Sequence, residues 1–337
     1  MVIMVYSVEH MTERKSRIRC GGLRPVVVVG PTASGKTAAA VELAKRVEAE
    51  IISADSMAIY RGMDIGTAKP APLEQQGVTF HMIDIVDPDE PFTVADFQER
   101  ASKIVDELMA KCKLPLIVGG TGLYIRALID GLNIPGPGPN AEIRAKLAEI
   151  AAEKGKSYLH DQLARVDPVT AARLHPNDVK RVIRALEVYE QTGKAMSQAV
   201  EETRPESARY PDALFFGLTM DRQKLYQRIE QRVDEQIRQG LIQEVARLLD
   251  QGYDVDLPSM QGLGYKEIAA GLKGEYDLDT AVDVLKQSTR RFAKRQFTWF
   301  RADPRIQWID VDEKQPSEVA DIIEESLVKA GVIEENA

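Results

Sequence analysis

The stretch Val26-Val27-Val28-Val29-Gly30-Pro31-Thr32-Ala33-Ser34-Gly35-Lys36-Thr37 decides the fold. Four β-branched residues in succession fit a strand buried on both faces of a parallel sheet. Gly30 to Thr37 match G-x-x-x-x-G-K-[ST], and a helix-forming run from Thr37 to Val47 follows. Strand, loop and helix thus come in the order a phosphate-binding loop requires. Backbone N–H groups of residues 32–37 would ring a diphosphate at a helix N-terminus, where the helix dipole also favours negative charge. Lys36 would add a point charge, and Thr37 a hydroxyl for Mg²⁺. The expected fold class is α/β, a P-loop NTPase-like parallel sheet flanked by helices. The motif calls for a diphosphate without naming the molecule that brings it.

The rest of the chain narrows the choice. At 337 residues it can bury a large core and is expected to divide into lobes. No stretch approaches the ~20 apolar residues of a membrane span. Residues 1–24 lack the apolar segment of a signal peptide and read as a disordered extension, with Met11 a candidate natural start. Two cysteines, Cys20 and Cys112, are too few for a disulfide framework, so a cytoplasmic location is the expectation. The net charge of −8 argues mildly against nucleic acid, but binding depends on the local field.

Glu50–Ala54 reads as a second strand ending at Asp55, in the position where strand ends face a ligand crevice. Asp55 fits a general base or a Mg²⁺ partner, and equally the N-cap of a following short helix. Residues 61–70 form a Gly- and Pro-punctuated loop, 81–86 alternate like an edge strand, and 94–111 are amphipathic. Leu114–Val118 is a further strand followed by Gly119-Gly120-Thr121-Gly122. Nucleotide hydrolases commonly place a Mg²⁺-holding acid there. Its replacement by glycines and a threonine favours a small-molecule transferase over an ATP motor.

Pro135–Pro139 reads as a linker, and 140–205 as an all-helical insertion. The catalytic core is expected at 25–139 and 206–312, with a terminal helix and tail at 313–337. Arg228 and Arg232 share one helical face and serve either the diphosphate or ion pairs with Glu230, Asp234 and Glu235. Arg290, Arg291, Lys294, Arg295 and Arg301 gather on one helix without an intervening acid, which fits a phosphate-backbone surface better than plain solvation.

Taken together these motifs resemble the tRNA dimethylallyltransferase (tRNA isopentenyltransferase) family. The likeness rests on Gly30–Thr37, Asp55-Ser56, Tyr60–Pro70, Gly119–Tyr124, His175–Asp178, Arg184–Val188, Gly264-Tyr265-Lys266 and Lys294-Arg295-Gln296. It spans about residues 26–310. The resemblance implies transfer of a dimethylallyl group from dimethylallyl diphosphate to the N6 amine of the adenine 3′ of the anticodon. It also implies Mg²⁺ and a tRNA anticodon stem-loop whose target base is flipped out of its stack; a monomer is the expected state.

By the same resemblance Asp55 is the base, with Lys36 and Thr121 beside it as catalytic residues. The diphosphate would be held by Gly30, Pro31, Thr32, Ala33, Ser34, Gly35, Lys36 and Thr37. The tRNA would meet Asp55, Ser56, Met57, Ala58 and Thr121. From the insertion it would meet Arg144, Lys180, Arg181, Val182, Ile183 and Arg184. From the core it would meet Gln261, Gly262, Leu263, Gly264, Tyr265 and Lys266, then Arg290, Arg291, Lys294, Arg295 and Gln296. The alternative is a P-loop small-molecule or nucleoside kinase using ATP. That reading leaves the basic C-terminal helix unexplained.

Overall fold

The computed structural model describes residues 17–132, 136–203 and 205–334. Contacts divide the chain into two compact units, residues 1–128 with 210–337, and residues 129–209.

In the first unit β1 (Val26–Val29) leads into α1 (Lys36–Val47), β2 (Glu50–Ser53), α2 (Pro72–Gln75), β3 (Phe80–His81), α3 (Val94–Ala110), β4 (Pro115–Val118) and α4 (Gly122–Asp130). The α4 helix runs across the boundary into the second unit, which continues with α5 (Ala141–Lys154), α6 (Lys156–Val166), α7 (Pro168–Arg173), α8 (Val179–Thr192) and α9 (Met196–Glu202). The chain returns as β5 (Leu214–Thr219), α10 (Arg222–Gln239), α11 (Leu241–Asp250), α12 (Tyr265–Leu272), α13 (Leu278–Arg301), β6 (Ile306–Asp310) and α14 (Pro316–Lys329).

The pairings among these six strands are all parallel, in the order β3-β2-β4-β1-β5-β6. Val26 to Val29 are wholly buried, with Val27 level with Ile117 of β4 and Phe215 of β5. A strand without a solvent face has no use for alternation, which is why its sequence is uniformly apolar. Its carboxyl end opens where β4 lies on one side and β5 on the other, and there the phosphate loop begins. β2 is not a neighbour of β1; β4 stands between them.

Several expectations change. The strand expected over 81–86 shrinks to Phe80–His81, because Met82 and Asp84 turn to positive φ and Asp84 is drawn to Lys69 at 2.6 Å. Residues 1–16 of the expected extension lie outside the described residues. Residues 17–24 are tied down: Ile18 bridges Ile333, and Arg19 N–H donates to the Val332 carbonyl. Cys20 and Cys112 pair, with Cα atoms 5.2 Å apart. The expected terminal helix is present, and Val319, Ala320, Ile323 and Leu327 of α14 are buried in the core shared with α1 and β1. Its Asp321 and Glu324 also pair with Arg46 of α1. No helix of the described residues is long and apolar enough to cross a membrane.

The second unit has its own small core, centred on Leu147, Leu159, Leu163, Val182 and Leu186. Its polar keystone is Glu187, fully buried, which accepts from Arg144 Nε at 2.9 Å, Arg184 Nη1 at 2.8 Å and the Asn140 N–H at 2.7 Å. Burial would raise its pKa, but these donors outweigh burial and hold the carboxyl below its usual range. α9, over Met196–Glu202, falls within the stretch expected to be helical.

Candidate active site

The phosphate loop is shaped by its own turn and by a partner from far along the chain. Gly35 sits in the left-handed region, at φ 87°, as the N-cap of α1. Ser34 Oγ donates to the Pro31 carbonyl at 2.8 Å, and Lys36 Nζ to the same oxygen at 2.6 Å. The Thr32 N–H is already engaged: it donates to Oε1 of Gln296, on α13, at 2.8 Å. Gln296 Nε2 donates in turn to the Gly120 carbonyl at 3.1 Å. Gln296, expected to contact RNA, is largely buried in the wall of the site, with its amide engaged by two backbones.

The glycines after β4 explain why no acid stands there. A Cβ at residue 119 would lie 2.2 Å from the Ala54 carbonyl oxygen, and one at residue 120 would lie 2.1 Å from Gln296 Nε2. These close approaches bring the ends of β2, β4 and the phosphate loop together. Thr121 then accepts from the Ser56 N–H at 3.1 Å, and its own N–H donates to the Ala54 carbonyl at 3.1 Å.

Asp55 caps no helix. Its Oδ1 accepts from the Met57 N–H at 2.8 Å in a local turn, and residues 56–62 stay non-helical. Its carboxylate lines two adjoining chambers. The smaller, of about 100 Å³, is a cationic chamber bounded by Thr32, Lys36, Thr37, Gly120 and Arg232. The larger, of about 310 Å³, has apolar walls from Met57, Ile229, Val233, Leu263, Leu285 and Phe292. Ser56, Thr121, Gln261, Gly262, Lys266 and Arg295 supply its polar surface.

The acids near Arg228 and Arg232 are committed elsewhere: Glu230 to Arg290, Asp234 to Lys286 at 2.6 Å, and Glu235 to Arg238 at 2.7 Å. Arg232 lines both chambers and reaches Thr32 Oγ1 at 3.4 Å; Arg228 lines a third cavity together with Lys36, Thr37 and Arg232. Burial, then the nearby Arg232 charge, push the Lys36 pKa down to about 7 against the opposing pull of Asp55. Burial likewise lowers Arg232, with Asp55 and Glu74 opposing. Two crowded, poorly solvated cations are what a dianion would relieve.

Glu244 is a site-shaping residue that its sequence context did not disclose. Buried on α11, it accepts from the N–H groups of Asp64, Ile65 and Gly66 at 2.9–3.1 Å and from the Tyr265 hydroxyl at 2.6 Å. Lys69 Nζ ties the same loop to the Tyr60 carbonyl at 2.8 Å and to Asp64 at 2.6 Å. The loop of 61–70 is thereby held with Thr67 and Ala68 in both chamber walls.

Other expected contact residues fall into two sets. Arg291, Lys294 and Arg295 are exposed on α13, and Lys180 and Arg181 on α8. Val182 and Tyr265 are core residues whose side chains are closed to solvent, and Ala58 is nearly so. Ile183 packs against the core of the second unit, and Gly264 is the N-cap of α12. Arg290 turns inward to Glu230.

A central parallel strand delivering a G-x-x-x-x-G-K-T loop onto a helix, beside an aspartate and a basic helix, defines a P-loop-type α/β protein. Residues 58–303 match the family model described as IPP transferase, and the chain belongs to that family. It is 52% identical over 288 residues to a tRNA dimethylallyltransferase of Acetivibrio thermocellus, covering 86% of this chain and 92% of that one. A solved tRNA isopentenylpyrophosphate transferase of Bacillus halodurans superposes with a TM-score of 0.68 at 42% identity, over 91% of this chain and 98% of its own. A eukaryotic dimethylallyltransferase solved acting on tRNA gives 0.74 at 26% identity, over 93% and 81%.

The depressed Lys36 pKa sets a test in the ligand-free protein. Below about pH 7 the lysine is charged in both folded and unfolded states, so its burial cost is fully present. Between about 7 and the ordinary value of 10.5 the folded protein holds fewer protons, and stability rises with pH. Lys36→Met should therefore raise the urea midpoint at pH 6, and the gain should shrink steadily toward pH 10. A gain that grew with pH would contradict this electrostatic account.

Proposed function

We propose that the protein transfers a dimethylallyl group from dimethylallyl diphosphate to the N6 amine of the adenine immediately 3′ of the anticodon in tRNA, releasing pyrophosphate. The observation that carries this reading is the position of Asp55, in the wall shared by a cationic phosphate chamber and a larger apolar one. The diphosphate belongs in the first, and the prenyl chain and the target base in the second. The family membership supports the same chemistry, and the kinase reading is not favoured by it.

In the proposed reaction the amine nitrogen forms a bond to the allylic carbon as the carbon–oxygen bond to the diphosphate breaks. The electron pair leaves with pyrophosphate, whose growing charge meets the loop N–H groups, Lys36 and Arg232. The adenine amine is a poor nucleophile because its lone pair is delocalised into the ring. Asp55 takes the amine proton as the new bond forms. Thr121 fixes the Ser56 backbone beside it. Apolar walls around the prenyl group keep water from capturing the allylic carbon.

Mg²⁺ fits the donor set. Thr37 lines the phosphate chamber, and among the described residues no cluster of three or more His, Cys, Asp or Glu could hold a metal by itself. A hydroxyl completed by water and diphosphate oxygens is a set this ion accepts. When bound, the ion neutralises diphosphate charge. We also propose that the exposed Arg291, Lys294 and Arg295 on α13, and Lys180 and Arg181 on α8, contact the RNA backbone, and that the protein acts as a cytoplasmic monomer.

Asp55→Ala should lower pyrophosphate release with an anticodon stem-loop by ~10²–10⁴-fold while stem-loop affinity stays within about twofold. Retained turnover would remove Asp55 from the chemistry. Replacing Arg291 and Lys294 together with Ala should weaken stem-loop binding and reduce the magnitude of its log–log salt slope by roughly one to two. An unaltered slope would return that helix face to plain solvation.

A further inference from the structure

The α13 helix has two working sides. Arg291, Lys294 and Arg295 stand exposed, with Arg295 and Phe292 reaching the wall of the larger chamber. The inner side meets the phosphate loop and the segment after β4. There Gln296 accepts from the Thr32 N–H at 2.8 Å and donates to the Gly120 carbonyl at 3.1 Å. One turn on, Trp299 lies so close to Gly122 that a Cβ there would be 2.1 Å from the indole nitrogen. Residues 120–122 include Thr121 and are thus gripped from one helix at both ends.

A glutamine buried in this way is locked by its partners. Its amide cannot rotate or shift without orphaning a backbone donor in the phosphate loop and a backbone acceptor beside Thr121, each costly to leave unpaired. We propose that Gln296 is a positioning residue that couples the two substrates: RNA seated on the outer side of α13 fixes the helix, and Gln296 passes that constraint to Thr32 and Gly120. The diphosphate then enters a loop whose shape is already set. By thermodynamic reciprocity, bound diphosphate tightens RNA binding by the same factor. The inference rests on the prenyl-transfer reading and adds to it a positioning residue whose side-chain amide is engaged by two backbone groups.

The test is equilibrium binding of dimethylallyl S-thiolodiphosphate, an unreactive donor analogue, with and without a saturating anticodon stem-loop, in the full chain. In the wild type the stem-loop should tighten analogue binding by about fivefold or more. In Gln296→Met, similar in size but unable to make either bond, the factor should fall below about twofold, while stem-loop affinity measured alone is unchanged. Gly120→Ala, whose new Cβ would displace the Gln296 amide, should lose the coupling in the same way and serves if the methionine variant does not fold.

A merely structural role would lower the thermal midpoint and leave the coupling factor intact, and that result overturns the proposal. So does a wild type without coupling. Wild-type turnover with dimethylallyl diphosphate, followed in parallel, separates the two levels. Absence of RNA prenylation refutes the functional reading, whereas prenylation without Gln296-dependent coupling refutes only this inference.

Discussion

Lys36 and Arg232 are held close together at the end of β1, in surroundings that solvate them poorly, and both are pushed toward losing their protons. Such an arrangement is unfavourable in the free protein and becomes favourable only when negative charge arrives. The fold maintains it by fixing everything around it. β1 is buried on both faces and cannot shift. The first turn of α1 begins at Lys36, and α10 brings Arg232 over the loop while its acidic neighbours are engaged by Arg290, Lys286 and Arg238. Asp55 is the counterweight, near enough to oppose both shifts and open to the chambers on either side.

The end of β4 joins these parts. Glycine at 119 and 120 lets the Ala54 carbonyl and the Gln296 amide come closer than any side chain would permit. An acidic residue would have held a metal there; glycine instead holds three backbones in register. Glu244 does the corresponding work for residues 64–66, spending a buried carboxylate on three N–H groups and a tyrosine hydroxyl. Both devices fix backbone at the chamber walls; Gln296 lines the smaller chamber with a neutral amide, and Glu244 is not among its lining residues. Preorganisation of this kind is what lets dipoles stabilise a leaving group without rearranging during the reaction.

Much of this was legible in the chain. The valine run, the loop consensus and the helix after it required a central parallel strand, and Asp55, Thr121 and Arg232 fell where strand ends and helix periodicity put them. What stayed hidden depended on contacts distant in sequence. Gln296 is 264 residues from Thr32, and among the basic residues of α13 it looked like one more RNA contact. Glu244 sits 178–180 residues from the amides it holds. Tyr265 lies in one of the stretches that carry the family likeness and Val182 in the stretch expected to meet RNA, yet both serve as core, because neither signal says which way a side chain points. The strand expected at 81–86 failed because Lys69 recruits Asp84, a tertiary pull that alternation cannot reveal.

The central claim is that this phosphate loop holds the diphosphate of a prenyl donor and not that of ATP. Mass spectrometry of nucleosides tests it most directly, after incubating the protein with Mg²⁺, an anticodon stem-loop and either dimethylallyl diphosphate or ATP. The account predicts that the adenosine 3′ of the anticodon gains one five-carbon prenyl unit with the first donor and that the RNA is unchanged with the second. Phosphate transferred from ATP, with no prenylated adenosine from dimethylallyl diphosphate, would contradict it.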